Sequence, residues 1–235
     1  MSSATLHTSK PNALARLFNP WPDFSMVSRH HVQRGALEGY IGDKFRKDHG
    51  ATVRSFMPYL LTISCGGNFS AAVGIRPAAT EKLFVETYLD APIEQYVSRV
   101  SEKNEGRNGI VEIGNLVATQ GGASQLVFIL LTAILAEAGH QWVAFTATAQ
   151  VKHLLEKLNF TCHRLAAADP SRLGASAAEW GSYYANSPQV MVIHVGEALE
   201  KIGNNRLASA ALALCRPAIP ALADRLLSEK ECLVA

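Results

Sequence analysis

Residues 110–160, IVEIGNLVATQGGASQLVFILLTAILAEAGHQWVAFTATAQVKHLLEKLNF, limit most strongly what this chain can fold into. The segment 110–118 is short and rich in β-branched residues, which predicts a strand. Gln120, Gly121, Gly122, Ala123 and Ser124 then form a turn suited to opening a helix. Residues 126–137 are too long and too rich in leucine for a strand, so they read as a buried helix. A second strand over 142–147 and an amphipathic helix over 151–158 complete the unit. Two strands joined by a helix imply a right-handed crossover in a sheet covered on at least one face.

The flanking sequence fills out that sheet. Residues 1–25 are rich in Ser, Thr, Asn and Pro and read as an irregular segment. Val32, Leu37, Tyr40, Ile41 and Phe45 then fall at helical spacing, with Gly50 as the stop. Strands over 55–65 and 69–76 flank a Gly66-Gly67-Asn68 turn, which predicts a hairpin. Residues 83–89 suit either a short strand or one helical turn, and 93–100 a helix. Strands over 162–166 and 190–195 enclose a long loop, and an alanine-rich helical segment from Glu197 is divided in two by Pro217 and Pro220. The fold class is therefore α/β, a mixed, mostly antiparallel twisted sheet flanked by helices. The expected organisation is an irregular segment (1–25), one domain (26–196) and a C-terminal helical extension (197–235).

Bulk properties exclude several functions. Of the 235 residues, 48% are hydrophobic and 18% charged, enough for a real core. A net charge of +2, with no Lys/Arg run interleaved with aromatics, argues against a nucleic-acid partner. Four dispersed cysteines without a CxxC pair read as reduced thiols of a cytoplasmic protein. The N-terminus lacks an apolar signal core, and the run 126–136 is shorter than the ~20 residues that span a bilayer. His30, His31, His153 and His163 show no metal-ligand spacing, so no metal is expected. The absence of a GxSxG elbow argues against a hydrolase.

A few residues stand out against this background. Glu112 lies in an apolar β-rich run, where an unpaired carboxylate is costly to bury. Burial would raise its pKa and suit it to take a proton from an amine or hydroxyl; the alternative is an edge-strand Glu paired with Lys or Arg. Strict alternation separates Glu112 from Asn115, and a bulge at Gly114 would bring both to one side. Arg76, at a strand end before Pro77, suits binding a carboxylate or phosphate, or pairing with Glu112. The amides of Gly121, Gly122, Ala123 and Ser124 suit a phosphopantetheine, or simply cap the next helix. Thr146 and Thr148 suit an amide arm of the same donor, although β-propensity also places threonines there. Trp180, Tyr183 and Tyr184 either wall a pocket or pack their loop down. The segment 199–227 suits packing on the domain, a membrane surface or a dimer contact.

Three local patterns carry a resemblance. Leu154-Leu155-Glu156-Lys157-Leu158-Asn159-Phe160 resembles the LYEKxGF helix end of the GNAT acyltransferases. Val111-Glu112-Ile113-Gly114-Asn115-Leu116 is similar to the WExSR strand of acyl-homoserine-lactone synthases, and Val73-Gly74-Ile75-Arg76 to their GxxR strand. Over residues 30–195 the chain resembles the thermostable hemolysin family, through VEIGNL, the FTAT strand, AADPSRLG and WGSYY.

The resemblance implies an acyltransferase of GNAT-like fold. It would take a fatty acyl group from acyl-CoA or the phosphopantetheine of an acyl carrier protein and pass it to an amine or hydroxyl of a small acceptor. On this reading Glu112, Asn115 and Arg76 are catalytic, and Val117, Gln120, Gly121, Gly122, Ala123, Ser124, Thr146 and Thr148 bind the donor. Trp180, Tyr183, Tyr184 and Phe145 then border the substrate. The sequence also departs from these patterns. Leu155 stands where many acetyltransferases carry an acid-catalytic Tyr, Asn115 replaces the synthases' Arg, and the glycine turn has lost the usual Q/R-x-x-G-x-G/A spacing. The family name itself implies the alternative, a membrane-active or lipid-binding protein without catalysis.

Overall fold

Burial along residues 110–113 shows how the chain is layered. Ile110 and Glu112 face one side of a central strand, Val111 and Ile113 the other, and all four are buried. Such alternation with both faces covered requires helices or loops on each side of the sheet. The computed structural model, which describes residues 22–119 and 122–232, supplies them.

The strands are β1 (Asp23–Val27), β2 (Tyr59–Cys65), β3 (Asn68–Pro77), β4 (Ile110–Ala118), β5 (Trp142–Ala147), β6 (His163–Ala167) and β7 (Gln189–His194). The helices are α1 (Arg34–His49), α2 (Ile93–Ser101), α3 (Ala123–Glu137), α4 (Ala149–Lys157), α5 (Val195–Asn204), α6 (Arg206–Cys215) and α7 (Ile219–Cys232). The strands form one seven-stranded sheet in the order β1-β2-β3-β4-β5-β7-β6. Every pairing is antiparallel except β4–β5, whose crossover is α3.

One face of the sheet packs on α3, which is buried continuously from Leu126 to Leu135. A helix apolar on all sides must be covered on all sides. Its outer flank is covered by the C-terminal helices, through Ala198, Ile202, Ala208, Cys215, Ile219, Leu222 and Leu226. The opposite face carries α1, whose Leu37, Ile41 and Phe45 meet Leu60 and Ala72, and α2, whose Ile93 and Val97 meet Ile110 and Trp142.

Several boundaries differ from the sequence reading, each for a local reason. Asp23–Val27 is a strand rather than irregular, because Met26 and Val27 are buried against β2. Val32 is 93% exposed and precedes the helix it was expected to join. Residues 51–57 are a strap instead of the start of β2, residues 84–88 take the helical alternative as a 3-10 turn, and further 3-10 turns occupy the long loop. The C-terminal segment is three helices, not two. It breaks at Asn205, whose Oδ1 accepts the amides of Leu207 and Ala208, and again at the 3-10 turn 216–218. Pro220 breaks nothing, because it lies in the first turn of α7 where its missing N–H has no acceptor to serve. Arg206–Leu227 is long and apolar enough by composition to cross a membrane, a feature the sequence reading passed over. Here it is interrupted at 216–218, and Ala208, Cys215, Leu222 and Leu226 are spent on the core.

Candidate active site

Four residue pairs join the parallel strands, from Ile110↔Trp142 to Ile113↔Phe145. Beyond them β4 continues with β3, while β5 continues with β7 through Thr146↔Val190 and Ala147↔Gln189. The sheet therefore forks at Gly114 and Thr146. Because the strands are parallel, α3 and α4 begin at the same end, beside the open fork.

A bulge sits on one arm of the fork. The β3–β4 register passes from Gly74↔Gly114 to Ala72↔Val117, so Asn115 and Leu116 together oppose Val73. Asn115 takes φ +49, a left-handed conformation that Asn tolerates better than most residues. The extra residue reverses the alternation: Ile113 faces α3, but Val117 packs beside α1. The expected bulge is thus present one residue later than predicted, and it turns Asn115 toward the Glu112 face. There Asn115 Oδ1 accepts the amide of Met57 at 2.9 Å, and its Nδ2 donates to the Ser55 carbonyl at 3.4 Å.

Met57 belongs to the strap, which closes over two glycines. A Cβ on Gly74 would lie 2.8 Å from Met57 Cβ, and one on Gly114 2.6 Å from Met57 Cε. The buried Arg34 of α1 holds the strap from its other side, donating to the carbonyls of Met57 at 2.7 Å and Pro58 at 3.0 Å.

Glu112 lies just before the bulge and is 1% exposed. Its Oε2 accepts the amide of Phe84 at 2.7 Å and its Oε1 that of Val85 at 2.9 Å, both from the first turn of the 3-10 segment. Arg76 Nη1 lies 3.4 Å from Oε2. Burial pushes the carboxyl up to about 7, against the opposing pull of Arg76 and the two amides. Arg76 is itself only loosely paired, with Nε 3.6 Å from Glu81 and no hydrogen bond to it. Glu112 occupies a central strand rather than an edge, and its partners include two backbone amides.

Around these groups opens a cavity of about 640 Å³, within the range of small-molecule sites. Its walls come from both faces of the sheet. On the Glu112 face stand Phe45, Phe84, Tyr88, Trp180, Tyr183 and Tyr184, with ring centroids 5.2–6.5 Å apart between neighbours. The Tyr88 and Tyr184 hydroxyls share a hydrogen bond, and burial raises the pKa of both phenols. On the α3 face stand Phe128, Phe145, Val151 and Leu154. The cavity thus passes through the fork.

Most of the residues singled out in the sequence converge here: Arg76, Glu112, Asn115, Val117, Gly122, Ser124, Phe145, Thr146, Thr148, Trp180, Tyr183 and Tyr184 all line the cavity. Ala123 opens α3 beside it, on an N-cap glycine with φ +91 that offers no side-chain acceptor. Thr148 caps α4, accepting the Val151 amide at 3.4 Å. Gln120 and Gly121 lie outside the described residues. The sequence reading missed Met57, Phe84, Tyr88 and the strap. Of these, Phe84 and Tyr88 carried a signal, aromatics four apart in the segment whose type was ambiguous.

Solved structures share this architecture. The N-acyl amino acid synthase FeeM, from uncultured soil microbes, is 12% identical, with a TM-score of 0.55 over 80% of this chain and 98% of its own. The CoA-dependent acyl-homoserine lactone synthase BjaI with SAM and isopentyl-CoA is 11% identical, with a TM-score of 0.55 over 78% of this chain and 88% of its own. The AHL synthase LasI is 11% identical, with a TM-score of 0.51 over 74% and 90%. At these identities the likeness shows the fold. No curated protein sequence is significantly similar to the chain. The family model for thermostable hemolysin matches residues 27–199, from the end of β1 into α5, and so takes in the fork, the bulge and the aromatic wall. The chain belongs to the thermostable hemolysin family.

Proposed function

We propose that the protein is an acyltransferase that moves a fatty acyl group from the thioester of acyl-CoA or an acyl carrier protein to an amine or hydroxyl of a small acceptor. The observation that carries this reading is the position of Glu112, a buried carboxylate with a raised pKa, at the point where the sheet forks around a cavity. The fold shared with acyl-transferring synthases supports it.

The donor would enter where α3 and α4 begin, with its pantetheine arm along the open edge of β5 at Thr146 and near Ala123 and Ser124. Val117, Gly122 and, from outside the described residues, Gln120 and Gly121 belong to the same proposed donor site. The acceptor would lie on the Glu112 face, against Trp180, Tyr183 and Tyr184, with Arg76 available to an anionic group. The acceptor nitrogen or oxygen attacks the thioester carbonyl, the C–S bond breaks and the sulfur leaves as a thiolate, which takes a proton from the protonated Glu112 or from solvent. Glu112 accepts the proton from the attacking group, directly or through a water, and Asn115 holds the strap in place beside it. Backbone amides of the bulge, displaced from the ordinary ladder, suit the developing oxyanion. The pKa of about 7 balances the two demands on a base, that it be ionised and that it be basic.

Native mass spectrometry with acyl-CoA and acyl carrier protein tests donor binding. A retained acyl donor supports the reading, and binding of free lipid alone in its place moves the weight to a lipid-binding protein without catalysis.

A further inference from the structure

A second void lies behind the cavity. It holds about 20 Å³, room for roughly one water or methyl group. It sits between the sheet and the helices α3 and α5, lined by Leu131, Thr132, Leu135, Phe160, Ile193 and Ala198 among others. Three residues line both spaces: Ile113 of β4, Phe128 of α3 and Phe145 of β5. They are 5%, 4% and 2% exposed, and they come from the two arms of the fork and the helix that bridges them. Among the described residues nothing else is common to the two linings.

The void is apolar in character. Its one side-chain hydroxyl among the described residues, Thr132 Oγ1, spends its proton on the Phe128 carbonyl at 2.8 Å, so it offers a water an acceptor only, short of the two to four partners a buried water needs. A polar ligand gains nothing there, whereas a hydrocarbon chain does.

We propose that Ile113, Phe128 and Phe145 form a gate that ends the acyl-chain path and sets the longest chain the protein accepts. This rests on the acyltransferase reading and deepens it by naming the residues that select the fatty acyl class. A thioester carbonyl placed at the fork beside Gly114 leaves one direction for an apolar tail on the α3 face. That direction is lined by Leu154, Val151, Phe128 and Phe145. The two rings close it, and the void behind them is the space a longer chain would occupy if either ring were smaller. Phe128 is the residue to change, because Phe145 also belongs to the paired part of β5.

The test uses the full chain and a series of saturated acyl-CoA probes of increasing length, read by native mass spectrometry and by thiol release with a pool of small amines. Phe128→Leu and Phe128→Ala are expected to shift the preferred chain longer by roughly two to four carbons, with retention rising about fourfold per added methylene at ~0.8 kcal/mol each. Phe128→Ala combined with Ala198→Leu, which refills the void from α5, is expected to return the profile toward that of the unmodified protein. An unchanged length profile in a folded Phe128→Leu protein that still retains acyl-CoA overturns the gate and leaves the acyltransferase reading standing. Failure of the unmodified protein to retain or turn over a probe of any length, offered as the acyl-CoA or as the acyl carrier protein thioester, overturns both.

Discussion

Asn115 Oδ1 accepts the amide of Met57 at 2.9 Å, so the bulge that breaks β4 is tied to the strap that covers it. The same side chain donates to Ser55, and its own backbone takes the left-handed conformation. Asn115→Ala is expected to lower stability by about 2 kcal/mol, losing a part-buried hydrogen bond while keeping an unfavourable φ. Asn115→Gly relieves the φ but still loses the bond, so it should be less destabilised than Ala. Urea denaturation of the two variants checks the order.

Glu112 makes a second prediction, about pH. Its pKa of about 7 in the folded chain lies above the ordinary glutamate value, so between roughly pH 4.5 and 7 the folded state holds a proton that the unfolded state has lost. Its contribution to stability is therefore complete at the acid end of that window and is lost as pH rises through 7. Turnover should move the opposite way, rising as the base ionises. Glu112→Gln should flatten both slopes and lower turnover by roughly 10²–10⁴-fold, the usual contribution of a general base. It should remain folded, though less stable, because its NH2 replaces one of the two oxygens that accept the amides of Phe84 and Val85 and so faces a donor.

Glu86 behaves in the opposite sense. Burial alone would raise its carboxyl, but Arg107, with the amides of Ile93 and Leu83, outweighs burial and holds it at about 2. Its stabilisation is complete above the ordinary glutamate range and is lost as pH falls toward 2. Arg107→Ala leaves the buried carboxylate with two amides only and should cost about 3 kcal/mol at neutral pH. Thermal melts of the variant against the unmodified chain at pH 7 and pH 3 should show the gap narrowing in acid.

The glycines against the strap and loop should rank by what their new methyl would strike. Gly181→Ala should be the worst, because its Cβ would meet the His49 carbonyl oxygen at 2.1 Å and its φ is +51. Gly74→Ala follows, since Met57 Cβ is fixed to the backbone. Gly114→Ala should be mildest, since Met57 Cε can swing away. Overpacking of this kind costs about 1–3 kcal/mol, and melting temperatures of the three variants would test the order.

Much of the scaffold could be read from local pattern. Residues 110–118 and 142–147 coincide with β4 and β5 because both are short, β-branched runs between turns. Glu112 stood out because a lone carboxylate in such a run needs a reason. What could not be read depends on contacts between distant segments. The amides on Glu112 come from residues 84 and 85, and the strap over Gly114 from residue 57. No spacing rule links these positions. The aromatic wall was visible as a WGSYY cluster and as the spacing of Phe84 and Tyr88, but that these and Phe45 meet is decided by tertiary packing. The third C-terminal helix was missed because the break at Asn205 is made by a side-chain cap on Leu207 and Ala208, which no proline or glycine announces.

Acceptor-dependent thiol release is the most direct test of the central claim. Acyl-CoA and acyl carrier protein thioesters are each mixed with a pool of small amines and alcohols, and free thiol is followed with the unmodified chain and with Glu112→Gln. The account predicts release that requires an acceptor, yields an amide or ester of matching mass, and falls at least about a hundredfold in the Gln protein while its melting transition persists. No acceptor-dependent release from either donor, or equal release by a folded Gln protein, would contradict it.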